Sequence, residues 1–247
     1  NSKFAIETEI RFEIKSQQVD FIVTNSKRDF MFIDRRHWVQ SRCCDSAMMD
    51  NKGQILWTYT GKTGVNDMTG GDFLGDGDIT YVVGLNGDGG IILLDKYGKT
   101  KRKQDDRNIW HIELVDVNHD GMLEIVHSND KGQITVRDRD GNIMSRNSVA
   151  HHFTDFSIVK WPSENGVERV LFADNEAIRL IDFLGKDIAK LEAPHAYIHG
   201  SAHGISLRLV PETPSFFAVL IDYSQWQRSI LYIYDAERSL IYQEILP

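Results

Sequence analysis

A four-residue turn of the form Asp-x-x-Gly recurs along the chain, each time after a run of apolar residues. The copies begin at Asp50, Asp95, Asp138 and Asp182, and a fifth copy at Asp235 lacks the glycine. Successive copies lie 45, 43, 44 and 53 residues apart. Three nearly equal spacings indicate an internal repeat, and a period near 44 residues is typical of a unit of four β-strands.

Each repeat contains short apolar, β-branched runs separated by polar and glycine-containing turns, and no window of helix length keeps a 3.6-residue period. In the third repeat these runs are 112–115, 123–127, 133–137 and 142–144. In the first repeat, 7–13 and 19–24 are predicted as the first two strands and 54–57 as the last. The pattern predicts an all-β fold, a five-bladed β-propeller of four-stranded antiparallel blades.

One propeller domain is expected to occupy residues 1–247. Its predicted repeats are 1–60, 61–104, 105–148, 149–192 and 193–247. The first repeat carries an insertion, 35–46, that includes the only cysteines, Cys43 and Cys44. Neighbouring cysteines rarely form a relaxed disulfide and supply only half a zinc site, so two thiols in a loop are expected. The insertion could carry a specific function or be neutral, and the sequence leaves both interpretations open.

Composition excludes several classes of protein. Hydrophobic residues make up 41% of the 247 residues, enough for a core, and the longest apolar run, 216–221, has the length of a strand. No membrane-spanning helix is therefore expected. The net charge of −8 argues against non-specific nucleic-acid binding. Because the chain begins at Asn1, a processed or trimmed form is expected.

The segment 116–124 has the spacing of a calcium-binding loop. Asp116, Asn118 and Asp120 occupy positions one, three and five, the Met122 carbonyl falls at position seven and Glu124 at position nine. Calcium takes six to eight oxygen ligands, and alternate side chains of a tight loop present such oxygens to one centre. The alternative is a metal-free turn held by its own Asp and Asn side chains.

The same segment resembles the FG-GAP or VCBS repeats of integrin-α-like propellers, whose pattern is Asp-x-Asp/Asn-x-Asp-Gly-x-x-Asp/Glu. The resemblance is clear over residues 64–146, and it implies an extracytoplasmic setting in which calcium is abundant. A weaker copy contains Asp72 and Asp76 but has Leu74 at the third position, so weak binding or a plain turn is expected there. The fourth and fifth repeats lack the ligands.

Ionisable residues are predicted at the channel rim, where a propeller presents the starts of its innermost strands. Counting five residues back from the Asp116 position of each repeat selects Asp67, His111, Asp155 and His203, with Glu7 or Glu9 as a looser match in the first repeat. Such residues would bind a ligand or supply an acid and a base. The alternative is that the rim is polar only because it is exposed to solvent, without binding a ligand.

Two further sets of residues admit a functional and a structural interpretation. The first set is His195, His199 and His203, which would chelate zinc if they lay on one face of a helix. Pro194, Gly200 and Gly204 disfavour a helix there, and on a strand the three histidines would lie too far apart to share a zinc ion. Four tryptophans near loops or strand ends would either stack on sugars or pack between blades: Trp38, Trp110, Trp161 and Trp226.

No specific catalytic motif occurs in the sequence. The leading hypothesis is an extracytoplasmic calcium-binding propeller that binds a glycan or protein ligand at its rim. The alternative is a polysaccharide lyase or glycoside hydrolase with its site at the channel, so enzymatic activity stays open. A scaffold domain of a larger protein is the third hypothesis.

Overall fold

The computed structural model describes residues 19–23, 30–34, 45–50, 54–61, 63–147, 153, 155–162, 167–174, 177–194, 201–207, 215–223 and 228–246. The chain divides into two compact units. The N-terminal unit comprises residues 1–72 and 76–108, and the C-terminal unit comprises residues 73–75 and 109–247. Of the predicted insertion 35–46, residues 35–44 with both cysteines lie outside the described residues, and residues 45 and 46 begin a strand.

The described strands form five four-stranded antiparallel sheets, each built from strands consecutive in sequence. Sheet 1 contains β1 (Val19–Val23), β2 (Phe30–Asp34), β3 (Asp45–Met49) and β4 (Ile55–Tyr59). Sheet 2 contains β5 (Val65–Gly71), β6 (Thr80–Leu85), β7 (Ile91–Leu94) and β8 (Thr100–Gln104). A short 3-10 helix, Gly87–Gly89, joins β6 to β7.

The C-terminal unit contains the other three sheets. Sheet 3 contains β9 (Ile109–Val115), β10 (Glu124–Asn129), β11 (Ile134–Arg137) and β12 (Ile143–Arg146). Sheet 4 contains β13 (Ser157–Lys160), β14 (Glu168–Ala173), β15 (Ala177–Ile181) and β16 (Asp187–Glu192). Sheet 5 contains β17 (Ser201–Leu207), β18 (Phe216–Tyr223), β19 (Arg228–Tyr234) and β20 (Leu240–Leu246).

The predicted all-β fold of four-stranded antiparallel sheets is confirmed, but the strand assignment in the first repeat is wrong. The sequence placed 19–24 as the second strand, whereas Val19–Val23 is the first strand of sheet 1 and pairs with β2. The error arose because the apolar run 30–34 was not assigned as a strand. The predicted strand at 7–13 lies outside the described residues.

The recurring Asp-x-x-Gly turn joins the third strand to the fourth in every sheet. In all five copies the backbone N–H four residues after the aspartate donates to its Oδ1, at 2.8–2.9 Å. The strand register shifts just before the turn in each sheet. The register shift leaves one backbone N–H without a partner between the strands. The aspartate side chain accepts a hydrogen bond from this N–H and so closes the hairpin.

The last residue of the turn adopts a left-handed backbone, which explains the glycine. The φ angles are +77° at Gly98, +92° at Gly141 and +84° at Gly185. In the fifth copy Arg238 adopts φ +75° in place of a glycine. The fifth turn thus keeps the same backbone path although its sequence has lost the signature.

Sheet 4 buries both of its faces inside the C-terminal unit. Val170 and Phe172 pack with residues of sheet 3, while Leu171 and Ala173 on the same strand pack with residues of sheet 5. Successive strand residues point to opposite faces, so a strand between two sheets must be apolar at every position. This explains the continuous apolar run in the fourth repeat.

Side chains of one sheet bind the Asp-x-x-Gly turn of the next sheet. In the N-terminal unit, Trp57 Nε1 donates to the Lys96 carbonyl at 3.2 Å. In the C-terminal unit, Ser145 Oγ donates to the Phe183 carbonyl at 3.1 Å and Trp161 Nε1 to the Ala236 carbonyl at 3.1 Å. Each acceptor directly follows the turn's aspartate, so the repeated turn also forms a repeated contact between sheets.

Replacing Gly185 by alanine should destabilise the protein more than the same change at Gly121. The φ angles are nearly equal, +84° and +85°. A Cβ at Gly185 would lie 2.5 Å from Asn147 Cβ, whereas nothing lies within 4 Å at Gly121. We expect Gly121→Ala to cost about 1–2 kcal/mol from backbone strain, and Gly185→Ala roughly 1–3 kcal/mol more from overpacking.

Urea unfolding of both variants in EDTA measures this difference. Equal losses of unfolding free energy would contradict the close packing of the sheet 4 turn against Asn147.

Candidate functional site

Strand register defines an equivalent position at the start of each sheet. In sheet 3, Glu113 pairs with Val126, which pairs with Val136, two residues before Asp138. The residues that pair in the same way are Ile22, Thr69, Ser157 and Ile205. Two residues before them the chain has Asp20, Asp67, His111, Asp155 and His203.

All five equivalent positions therefore carry an acid or a histidine. Asp, Glu and His together occupy fewer than one position in five of the chain, with 36 acidic residues and nine histidines among 247. The four residues selected by counting from the sequence are equivalent by register. In the first repeat the equivalent residue is Asp20; the looser matches Glu7 and Glu9 lie outside the described residues. Sequence counting missed Asp20 because the first strand had been misplaced.

Two of these residues, from neighbouring sheets, lie in direct contact. His111 Nδ1 lies 3.2 Å from Asp155 Oδ1, and His111 Nε2 lies 3.4 Å from Glu113 Oε1. The three side chains are 23%, 24% and 30% exposed respectively. An imidazole thus sits between two carboxylates while all three groups remain accessible to solvent.

The backbone fixes both carboxylates. Asp155 Oδ1 accepts a hydrogen bond from Phe156 N at 2.8 Å, and Glu113 Oε1 accepts one from Ile158 N at 3.3 Å. The buried Phe156 ring meets the imidazole edge-on, with centroids 4.6 Å apart and planes at 81°. A cationic imidazole would donate to both carboxylates, and a neutral one to a single carboxylate.

Glu113 is the residue of this cluster that sequence reasoning missed. It lies two residues after His111 on β9, so both side chains point to the same side of the strand. Its second partner, the backbone N–H of Ile158, is 45 residues away and belongs to sheet 4. The i, i+2 spacing was visible in the sequence, but the contact between sheets was not.

Within the described part of the C-terminal unit, the contact between His111 and Asp155 does not extend to His203. His203 is exposed on β17, opposite Leu220, and in the described residues it forms no observed hydrogen bond or ion pair with His111 or Asp155. Asp67 is half-buried on β5 of the N-terminal unit. Because His203 lies on a strand, the helical geometry of the zinc alternative does not hold there. His195 and His199 lie outside the described residues.

The tryptophans divide between the two interpretations. Trp161 is 1% exposed and packs against Phe217, with ring centroids 4.3 Å apart, so its role is structural. Trp110 is 38% exposed and directly precedes His111 on β9. Trp38 and Trp226 lie outside the described residues. Trp110 is therefore exposed, but because neighbouring residues of a strand point to opposite faces, its indole lies on the other face of sheet 3 from His111 and Glu113.

The loop 116–124 joins β9 to β10 and is held by its own polar groups. Asp116 Oδ1 and Oδ2 accept hydrogen bonds from Asp120 N and Gly121 N at 3.0 and 2.9 Å. Asp120 Oδ1 accepts from Met122 N at 2.8 Å, and Asn118 Nδ2 donates to Asp120 Oδ2 at 3.0 Å. Gly121, at φ +85°, provides the sharp turn.

Glu124 contributes a carboxylate that is almost fully buried, at 3% exposure, and its Oε2 accepts from Val117 N at 2.8 Å. Burial raises the pKa of Glu124, and the negative charges of Asp120 and Asp116 raise this pKa further, against the opposing effect of the backbone hydrogen bonds. Within the described residues, no lysine, arginine or histidine forms an ion pair with these three carboxylates.

The donor set of this loop fits a calcium ion. It offers three carboxylates, an amide oxygen and the Met122 carbonyl, and a buried carboxylate among like charges would be stabilised by a cation. A carboxylate oxygen that accepts one N–H retains a second lone pair for a metal. Across the described residues no three His, Cys, Asp or Glu side chains are arranged to hold a metal, so binding would require the loop to close.

The weaker loop already has cations of its own. Asp76 Oδ2 lies 3.7 Å from Lys101 Nζ, and Asp78 Oδ1 lies 3.0 Å from Lys96 Nζ. Asp72 accepts hydrogen bonds from Gly77 N at 3.2 Å. Lysine ammonium groups therefore pair with two exposed carboxylates of this loop, Asp76 and Asp78.

Comparisons with known proteins identify the fold. No protein-family model matches the chain, and no curated protein matches its sequence. Similar solved structures are β-propellers. BBS1N in complex with ARL6DN is 11% identical over 94% of this chain and 69% of its own, with a TM-score of 0.63. The Neurospora crassa Pan2 WD40 domain is 9% identical over 90% of this chain and 64% of its own, at 0.58.

The Dos1 propeller is 12% identical over 89% of this chain and 58% of its own, with a TM-score of 0.54. Together these likenesses show an all-β fold of propeller type, and the chain spans between 58% and 69% of the three compared chains. Separately, the described part of the chain has no apolar helix of the length that a membrane crossing requires.

The pKa of Glu124 predicts a pH dependence of stability in the metal-free protein. Because this pKa is raised in the folded state, the folded state holds the proton more tightly than the unfolded state. Its contribution is complete below the ordinary value of 4.5 and is lost as the pH rises through the raised folded value. In EDTA, Glu124→Gln should therefore gain stability relative to wild type between about pH 4 and pH 7.

Urea midpoints of the two proteins across this pH range measure the effect. A constant difference between them would contradict a raised pKa at Glu124.

Proposed function

We propose that the five sheets form the five blades of one propeller of the FG-GAP/VCBS kind, and that the protein binds a ligand at the channel rim. The observation that carries this proposal is the set of five ionisable residues at one register position: Asp20, Asp67, His111, Asp155 and His203. In a propeller, equivalent positions of the first strands surround the channel. The contact between His111 and Asp155 supports this arrangement for two neighbouring sheets.

The chemistry of the cluster favours a ligand that donates hydrogen bonds or carries positive charge. Asp155 and Glu113 are partly exposed acceptors on either side of His111. Sugar hydroxyls fit these acceptors, as does a lysine or arginine of a protein. The ligand is thus a glycan or a protein. BBS1N, a propeller neighbour, was solved with ARL6DN, which is a reason to test proteins too.

The proposed calcium site lies at the opposite end of the blade from His111. Asp116 lies five residues beyond His111 on an extended strand, which separates the two by about 16 Å. An ion held by Asp116, Asn118, Asp120, Met122 and Glu124 would therefore stabilise the loop between β9 and β10 without contacting a ligand at His111. We expect an extracytoplasmic location, where calcium is abundant enough to fill a modest site.

Enzymatic activity is the second candidate function, and the geometry of His111 is the observation that favours it. An imidazole within 3.4 Å of two carboxylates has the composition of an acid–base pair. A polysaccharide lyase would use such a group to remove a proton beside a uronic acid, and a glycoside hydrolase would use the carboxylates. Incubation with uronic-acid polysaccharides, followed by absorbance of the unsaturated product and by reducing-end release, tests this candidate.

Binding at the rim is tested on an array that carries glycans and candidate peptides rich in lysine and arginine. We expect wild type to bind a defined subset, and His111→Gln or Asp155→Asn to weaken that binding about 10-fold or more because a charge-assisted contact is lost. Lys190→Gln, on the exposed outer strand β16, is the matched control and should bind as wild type. Binding unchanged by both rim variants would place the ligand elsewhere.

Calcium binding is tested by calorimetric titration and by thermal unfolding. We expect one equivalent of calcium to bind and to raise Tm, because the ion offsets the charge of three carboxylates in the folded state. Asp120→Asn should weaken this response, while Asp76→Asn in the lysine-neutralised loop should leave it unchanged. The absence of heat and of any Tm change at millimolar calcium would refute the site.

A further inference from the structure

The outer strand β20 differs from the other outer strands of the C-terminal unit. β12 is four residues long and contains Arg146, and β16 alternates Asp187, Lys190 and Glu192 with apolar residues. β20 is seven residues long, with the sequence Leu-Ile-Tyr-Gln-Glu-Ile-Leu and one charge, at Glu244. Charged residues, lysine above all, normally prevent an edge strand from pairing with another chain. β20 lacks this protection.

Within the described residues, β20 has an unpaired edge and exposed apolar side chains on both faces. It pairs with β19 alone among the described strands, so the backbone groups of its other edge have no partner strand there. Ile241 and Ile245 are 51% and 55% exposed on one face, and Tyr242 is 46% exposed on the other. A long strand with a single charge and exposed apolar residues offers both hydrogen bonds and hydrophobic contacts to an added strand.

The sequence of β20 is complementary to itself when two copies run antiparallel about Gln243. Leu240 then lies opposite Leu246, and Ile241 lies opposite Ile245. Tyr242 lies opposite Glu244, so neither carboxylate faces the other. A centre one residue later would place Glu244 opposite Glu244, and a centre one residue earlier would place it opposite Leu240. One register therefore pairs every apolar residue with an apolar residue.

The chemistry of the pair between Tyr242 and Glu244 is already seen within a single strand. Tyr242 Oη donates to Glu244 Oε2 at 2.7 Å. Across a twofold axis the same hydroxyl and carboxylate would meet twice, once on each side of the axis. A twofold interface requires such reciprocal contacts, because each residue must suit its partner in both directions.

We propose that β20 is a homodimerisation edge that pairs antiparallel with β20 of a second copy of the chain. The two sheets 5 join into one eight-stranded sheet centred on Gln243. This interface is separate from the proposed ligand and calcium sites, so it stands or falls independently of them. A strand from an unrelated protein would not require the palindromic order of apolar and polar residues in β20.

A matched pair of substitutions at Tyr242 tests the register. Tyr242→Lys places a lysine opposite Glu244 of the other copy, and Tyr242→Glu places a carboxylate there; both remove the same intrastrand hydrogen bond. In sedimentation experiments over about 1–100 μM protein at low salt, the lysine variant, which gains a cross-strand ion pair in this register, should dimerise about 3- to 10-fold more tightly than the glutamate variant, which gains a like-charge pair. Circular dichroism of each variant verifies its fold.

A cysteine at the twofold axis provides a second readout. Gln243→Cys lies opposite itself in the proposed pair, at a separation that a disulfide can bridge, and should give a covalent dimer under mild oxidation. Wild type, which contains Cys43 and Cys44, and Lys190→Cys on β16 are the controls and should remain uncrosslinked.

Three outcomes overturn the proposal: a wild type and a Tyr242→Lys variant that stay monomeric at 100 μM, a dimer that responds equally to both Tyr242 substitutions, or crosslinking of Lys190→Cys as efficient as that of Gln243→Cys. A monomer whose β20 captures strands of other proteins also overturns it, since the occupant is then not a second copy.

Discussion

The hydrogen bond from the aspartate of each Asp-x-x-Gly turn to the backbone N–H four residues later is the contact on which the architecture depends. It occurs in all five sheets, at 2.8–2.9 Å. The aspartate fixes where the third strand stops, how far the register shifts and where the fourth strand starts. The carbonyl of the next residue then accepts a bond from the preceding sheet at three of the turns. A local turn thus sets both the hairpin and the spacing between sheets.

This dual role explains how much of the fold the sequence could predict. Asp, Gly and the apolar runs before them are local signals, and they located the strands of the third repeat and the last strand of the first. In the first repeat Phe30–Asp34 was not recognised as a strand, so 19–24 was assigned to the second position, while the predicted last strand, 54–57, agrees with β4. The fifth turn was recognised without its glycine because Asp235 and the preceding apolar run were intact, although Arg238 must adopt φ +75°.

The candidate site was predictable to the extent that it follows the repeat. Counting from the Asp116 loop selected Asp67, His111, Asp155 and His203, and register makes these positions equivalent. Counting along the sequence could not find Asp20, because the first repeat has no such loop to count from. It also could not find Glu113, because the backbone partner of Glu113 lies in the next sheet. A repeat pattern gives equivalence between sheets; the contacts between side chains depend on packing that the pattern does not encode.

The two ends of each first strand have different chemistry, and the geometry of an extended chain keeps them apart. At the start of β9, His111 lies between Asp155 and Glu113 and is partly exposed, so its hydrogen-bonding groups can exchange partners with a ligand. At the end of β9, Glu124 is buried beside two further carboxylates with no ion-pair partner among the described residues, so its charge calls for a cation rather than a ligand. Sheet 2 has Lys101 and Lys96 at the corresponding end, beside Asp76 and Asp78. Exposed carboxylates are thus paired with lysines in sheet 2, and we infer that the buried carboxylate of sheet 3 is compensated by calcium.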